Sequence, residues 1–242
     1  MNRQPNSLLN TNLTGVSWPL GTGSTFKVLS RNLSVTISAA FFLLATTVVA
    51  LQADRLEQTM KSRYGEDGLA YLRAWTNLLL KTDITTTEKL TVVNDFFNRG
   101  LTYTDDRLLW KAKDYWATPL QTMGMRGGDC EDYSIAKYFS LLEMGIPAND
   151  LRLIYVKATT GGILQAHMVL GYFPNPDAIP LILDNLNPKI LPANERADLT
   201  PVFSFNSEGL WLGGQKSNTD PTARLSRWRD VLQRMQEEGF NQ

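Results

Sequence analysis

Gly127-Gly128-Asp129-Cys130-Glu131-Asp132-Tyr133-Ser134-Ile135-Ala136-Lys137-Tyr138 contains the only cysteine of the 242 residues. Asp129 is a good N-cap, Ile135, Phe139 and Leu142 recur at helical spacing, and Gly145 with Pro147 stops the pattern. These signals predict a helix from about Cys130 to Met144. The cysteine therefore sits in a first turn, where free N–H groups and the helix dipole favour a thiolate. The two glycines before it permit close backbone approach. An ordinary buried cysteine is the competing reading, but a helix start behind two glycines is a poor place for core filler.

Downstream the period changes. Leu151–Val156, Ala166–Phe173 and Leu181–Leu183 alternate or are rich in β-formers and read as strands with Pro-rich turns. The single histidine, His167, lies on the second, in Gln165-Ala166-His167-Met168-Val169-Leu170, and Asp184 ends the third. Alone, His167 fits a core histidine and Asp184 a turn former. Together with Cys130 they give the order Cys, His, Asp. A helix N-terminus packed on two antiparallel strands would join them as nucleophile, general base and orienting acid.

Upstream, residues 54–80 predict a helix broken near Gly65, with Leu69, Leu72, Trp75 and Leu79 on one face. Thr85 and Glu88 form a capping box for a helix through Leu90, Val93, Phe96 and Phe97, which Gly100 can terminate. Residues 101–128 read as an aromatic loop, with Tyr103, Trp110, Tyr115 and Trp116 more suited to packing than to a substrate platform. A last helix, about Ala223–Glu238, has Leu225, Trp228, Leu232 and Met235 on one face and Pro221 before it. Its Arg224, Arg227, Arg229 and Arg234 read as a solvated face. Helices, then strands, then one helix predict an α+β fold.

Composition narrows the function. Lys+Arg and Asp+Glu are equal at 24 each, which gives no nucleic-acid signal. One His and one Cys exclude a Cys/His zinc site within one chain, and one Cys excludes an internal disulfide. Residues 1–53 hold Arg3, Lys27 and Arg31 and no acid, followed by the apolar run Leu33–Leu51 with small residues at Val48-Val49-Ala50 and Leu51-Gln52-Ala53. This reads as an export signal, or as an uncleaved membrane anchor, since about 20 apolar residues span a bilayer. Residues 54–242 are then one domain in the periplasm, soluble or anchored.

Gly128–Tyr138 resembles the core motif of the bacterial transglutaminase-like cysteine proteinases. Asp114-Tyr115-Trp116-Ala117-Thr118-Pro119, Ala166–Leu170, Leu183-Asp184-Asn185-Leu186 and Pro201–Asn206 resemble that family in the same order. The resemblance covers about residues 85–211 and is nearest to the family's periplasmic adhesin proteases. It implies a papain-like, transglutaminase-like fold whose nucleophile helix packs on an antiparallel sheet. It implies catalytic Cys130, His167 and Asp184, and cleavage of a large surface adhesin near its N-terminus at paired alanines, dispersing biofilm. An inner-membrane cyclic-di-GMP receptor that sequesters the protease is implied as a partner.

The acids beside Cys130 oppose a thiolate. They suit the helix dipole, but a bound Ca²⁺ would reverse the local sign. The resembled proteases are calcium-dependent, which implies Asp129, Glu131 and Asp132 as metal ligands; the spacing is not that of an EF-hand. For the oxyanion, the Cys130 amide is one candidate donor, with Trp116 and Gln121 further ones. Transamidation by the same triad, a non-catalytic exported calcium-binding module and an anchored interaction protein are the alternatives.

Overall fold

The computed structural model describes residues 29–240, with side chains from Ala53 onward. The chain divides into two units, 1–47 and 48–242, and the site lies in the second. The expected leader, 1–53, falls almost wholly outside the residues whose side chains are described. Among the described residues no helix is long and apolar enough to cross a membrane.

Helix α1, Leu29–Leu79, is broken at Gly65, whose φ of 72° and ψ of −166° leave the helical region. Its C-terminal part buries Leu69, Leu72 and Trp75. The Trp75 indole N–H donates to Ser140 Oγ at 2.7 Å, tying α1 to the nucleophile helix. Helix α2, Thr86–Gly100, begins with the expected capping box: Thr85 N–H donates to Glu88 at 2.8 Å and Glu88 N–H to Thr85 Oγ1 at 3.3 Å. Gly100 is not the left-handed terminator expected, because the cap is Leu101 in extended conformation. A Cβ at Gly100 would instead collide with the Tyr71 hydroxyl.

The segment read as a loop contains regular structure. It forms β1 (Thr102–Tyr103), α3 (Asp106–Leu109), α4 (Pro119–Met125) and β2 (Gly127–Gly128). Helix α4 has its own capping box, Thr118 with Gln121, and Pro119 in its first turn. β1 pairs in parallel with β2, placing Gly128 and the residues after it.

Helix α5, Cys130–Glu143, is buried on all sides from Asp132 to Leu141 rather than along one stripe. Helices α2 and α4 pack on it together with β3 (Leu151–Thr160) and β4 (Ile163–Tyr172) of the sheet. It ends in a Schellman motif at left-handed Gly145: Gly145 N–H donates to Leu142 O and Ile146 N–H to Leu141 O, both at 2.9 Å.

Of the expected strands, Leu181–Leu183 has the bounds expected, while the first two are longer and are joined by glycines instead of a Pro-rich turn. The left-handed glycines Gly161 and Gly162 turn β3 into β4 as a two-residue hairpin. They are followed by β5 (Leu181–Leu183), β6 (Leu191–Pro192), β7 (Leu199–Phe205), β8 (Leu210–Leu212) and β9 (Gln215–Lys216). The antiparallel order is β6-β5-β4-β3-β7-β8-β9. Pairing of β3 with β7 slips by a residue at Pro201, which has no N–H for the ladder. The terminal helix is two pieces, α6 (Pro221–Arg224) and α7 (Ser226–Glu238), separated at Leu225, where ψ is 92°. Trp228 on α7 is fully buried and stacks on Phe139 of α5 with centroids 5.7 Å apart.

Candidate active site

Cys130 begins α5 and His167 lies on β4; both line one cavity of about 440 Å³. The Ser134 hydroxyl joins the two elements. It is 2.8 Å from the Cys130 carbonyl oxygen and 3.1 Å from that of Met168, next to His167. Asp184 follows β5 directly. Its backbone carbonyl accepts from Asn98 of α2 at 2.8 Å, and Asn94, one turn earlier, donates to Pro188 O at 2.9 Å. The loop carrying Asp184 is thus pinned from the helical layer.

His167 Nε2 and Asp184 Oδ1 are 2.8 Å apart, and both residues are buried. Burial pushes the Asp184 carboxyl up, but bonds and charge from His167 and the bond from Arg196 outweigh it, bringing the pKa down to about 2. An ionised carboxylate can only accept. His167 therefore carries a proton on Nε2, and in the neutral imidazole Nδ1 is the proton acceptor.

The thiol is in a different electrostatic situation. Burial, then the charge and hydrogen bond of Glu131, then Asp129, push the Cys130 pKa well above its usual range. Cys130 Sγ donates to Glu131 Oε2 at 3.0 Å. The favourable helix start is overridden by the acids around it.

Those acids fit a hard divalent cation. One carboxylate oxygen each from Asp106, Asp114 and Glu131 lie within 4.8 Å of one another, as do those of Asp106, Asp129 and Asp132. Asp106 Oδ1 and Asp129 Oδ1 are buried with no hydrogen-bond partner. Such oxygens are costly unless a cation or donor completes them, and 6–8 oxygens suit calcium-type coordination. Burial, followed by the bond to and charge of Glu131, pushes the Asp129 carboxyl up to about 9. Asp132 is more anchored than its neighbours: Ala117 N–H donates to Oδ1 at 2.7 Å and Asp129 N–H to Oδ2 at 3.3 Å. Asp106 and Asp114 come from the segment read as an aromatic loop and were not among the expected ligands. Their approach depends on α3 and on the fold of that loop.

Two candidate oxyanion donors are already occupied. Gln121 caps α4, exchanges hydrogen bonds with the Tyr115 hydroxyl and accepts from Arg234. The Trp116 indole N–H donates to Asp114 Oδ1 at 3.1 Å. The Cys130 amide stands in the first turn, where backbone N–H groups have no partner within the helix. The arginines of the C-terminal segment are not simply a solvated face. Arg234 lies over the Tyr115 ring at 4.5 Å and donates to Trp116 O, while Arg227 pairs with Asp114 at 2.9 Å and lines the cavity with Arg224.

A thiol at a buried helix start, an imidazole on the adjoining antiparallel sheet and a carboxylate behind it define a papain-like, transglutaminase-like cysteine protease fold. Residues 73–200 match the family described as bacterial transglutaminase-like cysteine proteinase BTLCP, and the chain belongs to that family. It is similar to Legionella pneumophila LapG, with 39% identity over 75% of this chain and 96% of that one, at a TM-score of 0.66. The calcium-bound form of that LapG matches at 39% identity over 75% and 98% of the two chains, TM-score 0.65. Its EGTA-treated form matches at 39% identity over 75% and 96%, TM-score 0.66. No curated protein sequence matches.

Proposed function

We propose that this chain is a calcium-dependent periplasmic cysteine endopeptidase with Cys130 as nucleophile, His167 as general base and acid, and Asp184 as orienter. Its substrate is the N-terminal region of a large surface adhesin, cut between paired alanines. The cut releases the adhesin and disperses biofilm, under an inner-membrane cyclic-di-GMP receptor that sequesters the protease. The observation that carries this reading is the cavity shared by Cys130 and His167, with His167 bonded to buried Asp184 at 2.8 Å.

The chemistry follows from the protonation states. His167 Nδ1 takes the thiol proton, and the sulfur attacks the scissile carbonyl carbon. The resulting oxyanion is met by the Cys130 amide at the positive end of α5. His167 then gives its proton to the departing amine, the C–N bond breaks and a thioester remains. Water, deprotonated by the same imidazole, hydrolyses the thioester and restores the thiol. Asp184 holds the Nε2–H tautomer throughout and stabilises the imidazolium.

Asp106, Asp114, Asp129 and Glu131, with Asp132 behind them, would hold the cation. Bound calcium would neutralise the carboxylates that otherwise keep Cys130 protonated. The calcium-bound form of the similar LapG supports this assignment. The test incubates the full-length chain with an adhesin N-terminal fragment containing an Ala-Ala linker, in calcium or in a chelator, beside Cys130→Ala. A single cut absent from the variant and suppressed by chelation is expected. A cut by Cys130→Ala would overturn the nucleophile, and one unaffected by chelation would overturn the calcium role.

A further inference from the structure

Asp184 Oδ1 is engaged by His167 Nε2 at 2.8 Å and by the Leu186 amide at 3.0 Å. Its second oxygen, Oδ2, accepts from Arg196 Nη2 at 2.6 Å. A carboxylate turns readily about its last torsion, and donors on both oxygens stop that rotation. Arg196 is itself fixed: Nε donates to Asp198 Oδ1 at 2.9 Å and Nη2 to Asp198 Oδ2 at 2.7 Å. The backbone of this turn is bound to the sheet, with Thr159 N–H of β3 donating to Asp198 O at 2.8 Å.

We infer that Arg196 is a positioning residue for the reaction: it clamps the Asp184 carboxylate in the orientation that fixes His167. This rests on the Cys130–His167–Asp184 reading above. Arg196 does not line the Cys130 cavity; it lines a groove of about 580 Å³ that shares only Phe203 with that cavity. It therefore acts through Asp184 and not on substrate. Stability alone explains the arrangement poorly, because Arg196 and Asp184 are 3% and 1% exposed. Buried ion pairs are often no better for stability than well-packed apolar residues. What they supply here is direction. A planar guanidinium spans two carboxylates in one rigid fork, which a lysine ammonium cannot do.

The chain has one histidine, so ¹⁵N-histidine labelling of the full-length protein gives one imidazole to observe. The clamp predicts a low-field Nε2 proton protected from exchange with water. In Arg196→Gln that proton is lost or exchanges at least about tenfold faster, while Arg196→Lys, which keeps the charge and one bond, recovers part of the protection. Asp184→Asn should abolish the signal. If Asp184→Asn leaves it unchanged, the triad reading fails and the clamp with it. If Asp184→Asn abolishes it and Arg196→Gln leaves it unchanged, the clamp alone is overturned. Should Arg196→Gln fail to fold, Asp198→Asn decides, because the Asp198 side chain is 44% exposed and tolerates change. Exchange faster than wild type in that variant supports the clamp, and wild-type exchange overturns it.

Discussion

Adding calcium to the full-length chain is expected to raise its thermal midpoint, and the size of the shift follows from linkage. A ligand present at about 100 times its dissociation constant stabilises the folded state by about 2.7 kcal/mol. In a domain of this size each kcal/mol moves the midpoint by about 2–4 °C, giving roughly 5–10 °C. The shift should depend on pH in a defined direction. Asp129 is pushed up to about 9 by burial and by Glu131, and Glu131 is itself raised by burial. A carboxyl raised in the folded state contributes its stability below the ordinary carboxylate range and loses it as pH rises toward the raised value. The calcium-free protein should therefore weaken from pH 5 to pH 8, while the calcium gain grows over the same window. Asp129→Asn combined with Glu131→Gln removes the charges of two proposed ligands. In a chelator this variant should match or exceed wild type, and calcium should move it by less than about 4 °C if less than about 1 kcal/mol of linkage remains. Differential scanning calorimetry across pH reads all of these values. An equal calcium shift in wild type and double variant would place the cation elsewhere. A wild type insensitive to calcium would refute the assignment.

Gly128→Ala should destabilise the chain by about 1–3 kcal/mol in urea unfolding, as overpacked cores do. Its new Cβ would lie 2.5 Å from Asp132 Oδ2, so a midpoint like wild type would contradict the proposed anchoring of Asp132. Lys137 of α5 is fully buried, and burial lowers its pKa to about 7 against the opposing pull of Asp184. A base depressed in this way gives full stability above its unfolded value, and loses it as pH falls toward 7. Lys137→Met should thus gain on wild type by roughly 4–5 kcal/mol at pH 6, with the advantage fading toward pH 10. A pH-independent difference would show that charge burial is not the cause. Gly161→Ala and Gly162→Ala each force a side chain into a left-handed turn at φ 57° and 81°. Each should cost about 1–2 kcal/mol of stability, and unchanged urea midpoints would refute the two-residue hairpin.

Much of the site was legible because its signals are local. Asp129 and the glycines mark where α5 begins, Thr85 with Glu88 marks α2, and three apolar residues before Asp184 mark β5. The α+β class followed from the change of period after Gly145. Other features depend on distant residues. Helix α4 is only seven residues long and follows an aromatic stretch, so its capping box carries little signal in the sequence. The break at Leu225 lies inside a periodic pattern that reads as continuous. Strands β7 to β9 are interrupted by Pro201 and the Gly213-Gly214 turn, and show little alternation. Asp106 and Asp114 join the acidic cluster only because the aromatic loop folds over Cys130. Arg196 lies in a turn, and nothing in the residues around it indicates that it meets Asp184. For the thiol, the neighbouring acids are legible in the sequence but its burial is not. A helix start alone predicts a lowered pKa, and the neighbouring carboxylates with burial reverse the sign.

The proposed chemistry requires His167 to activate Cys130. The most direct measurement is the rate at which iodoacetamide alkylates the single cysteine at pH 6 in calcium-containing buffer, for wild type and His167→Ala. An activated pair predicts that the variant reacts about tenfold more slowly or worse, one pKa unit or more of lost thiolate. Equal rates in the two proteins would contradict it.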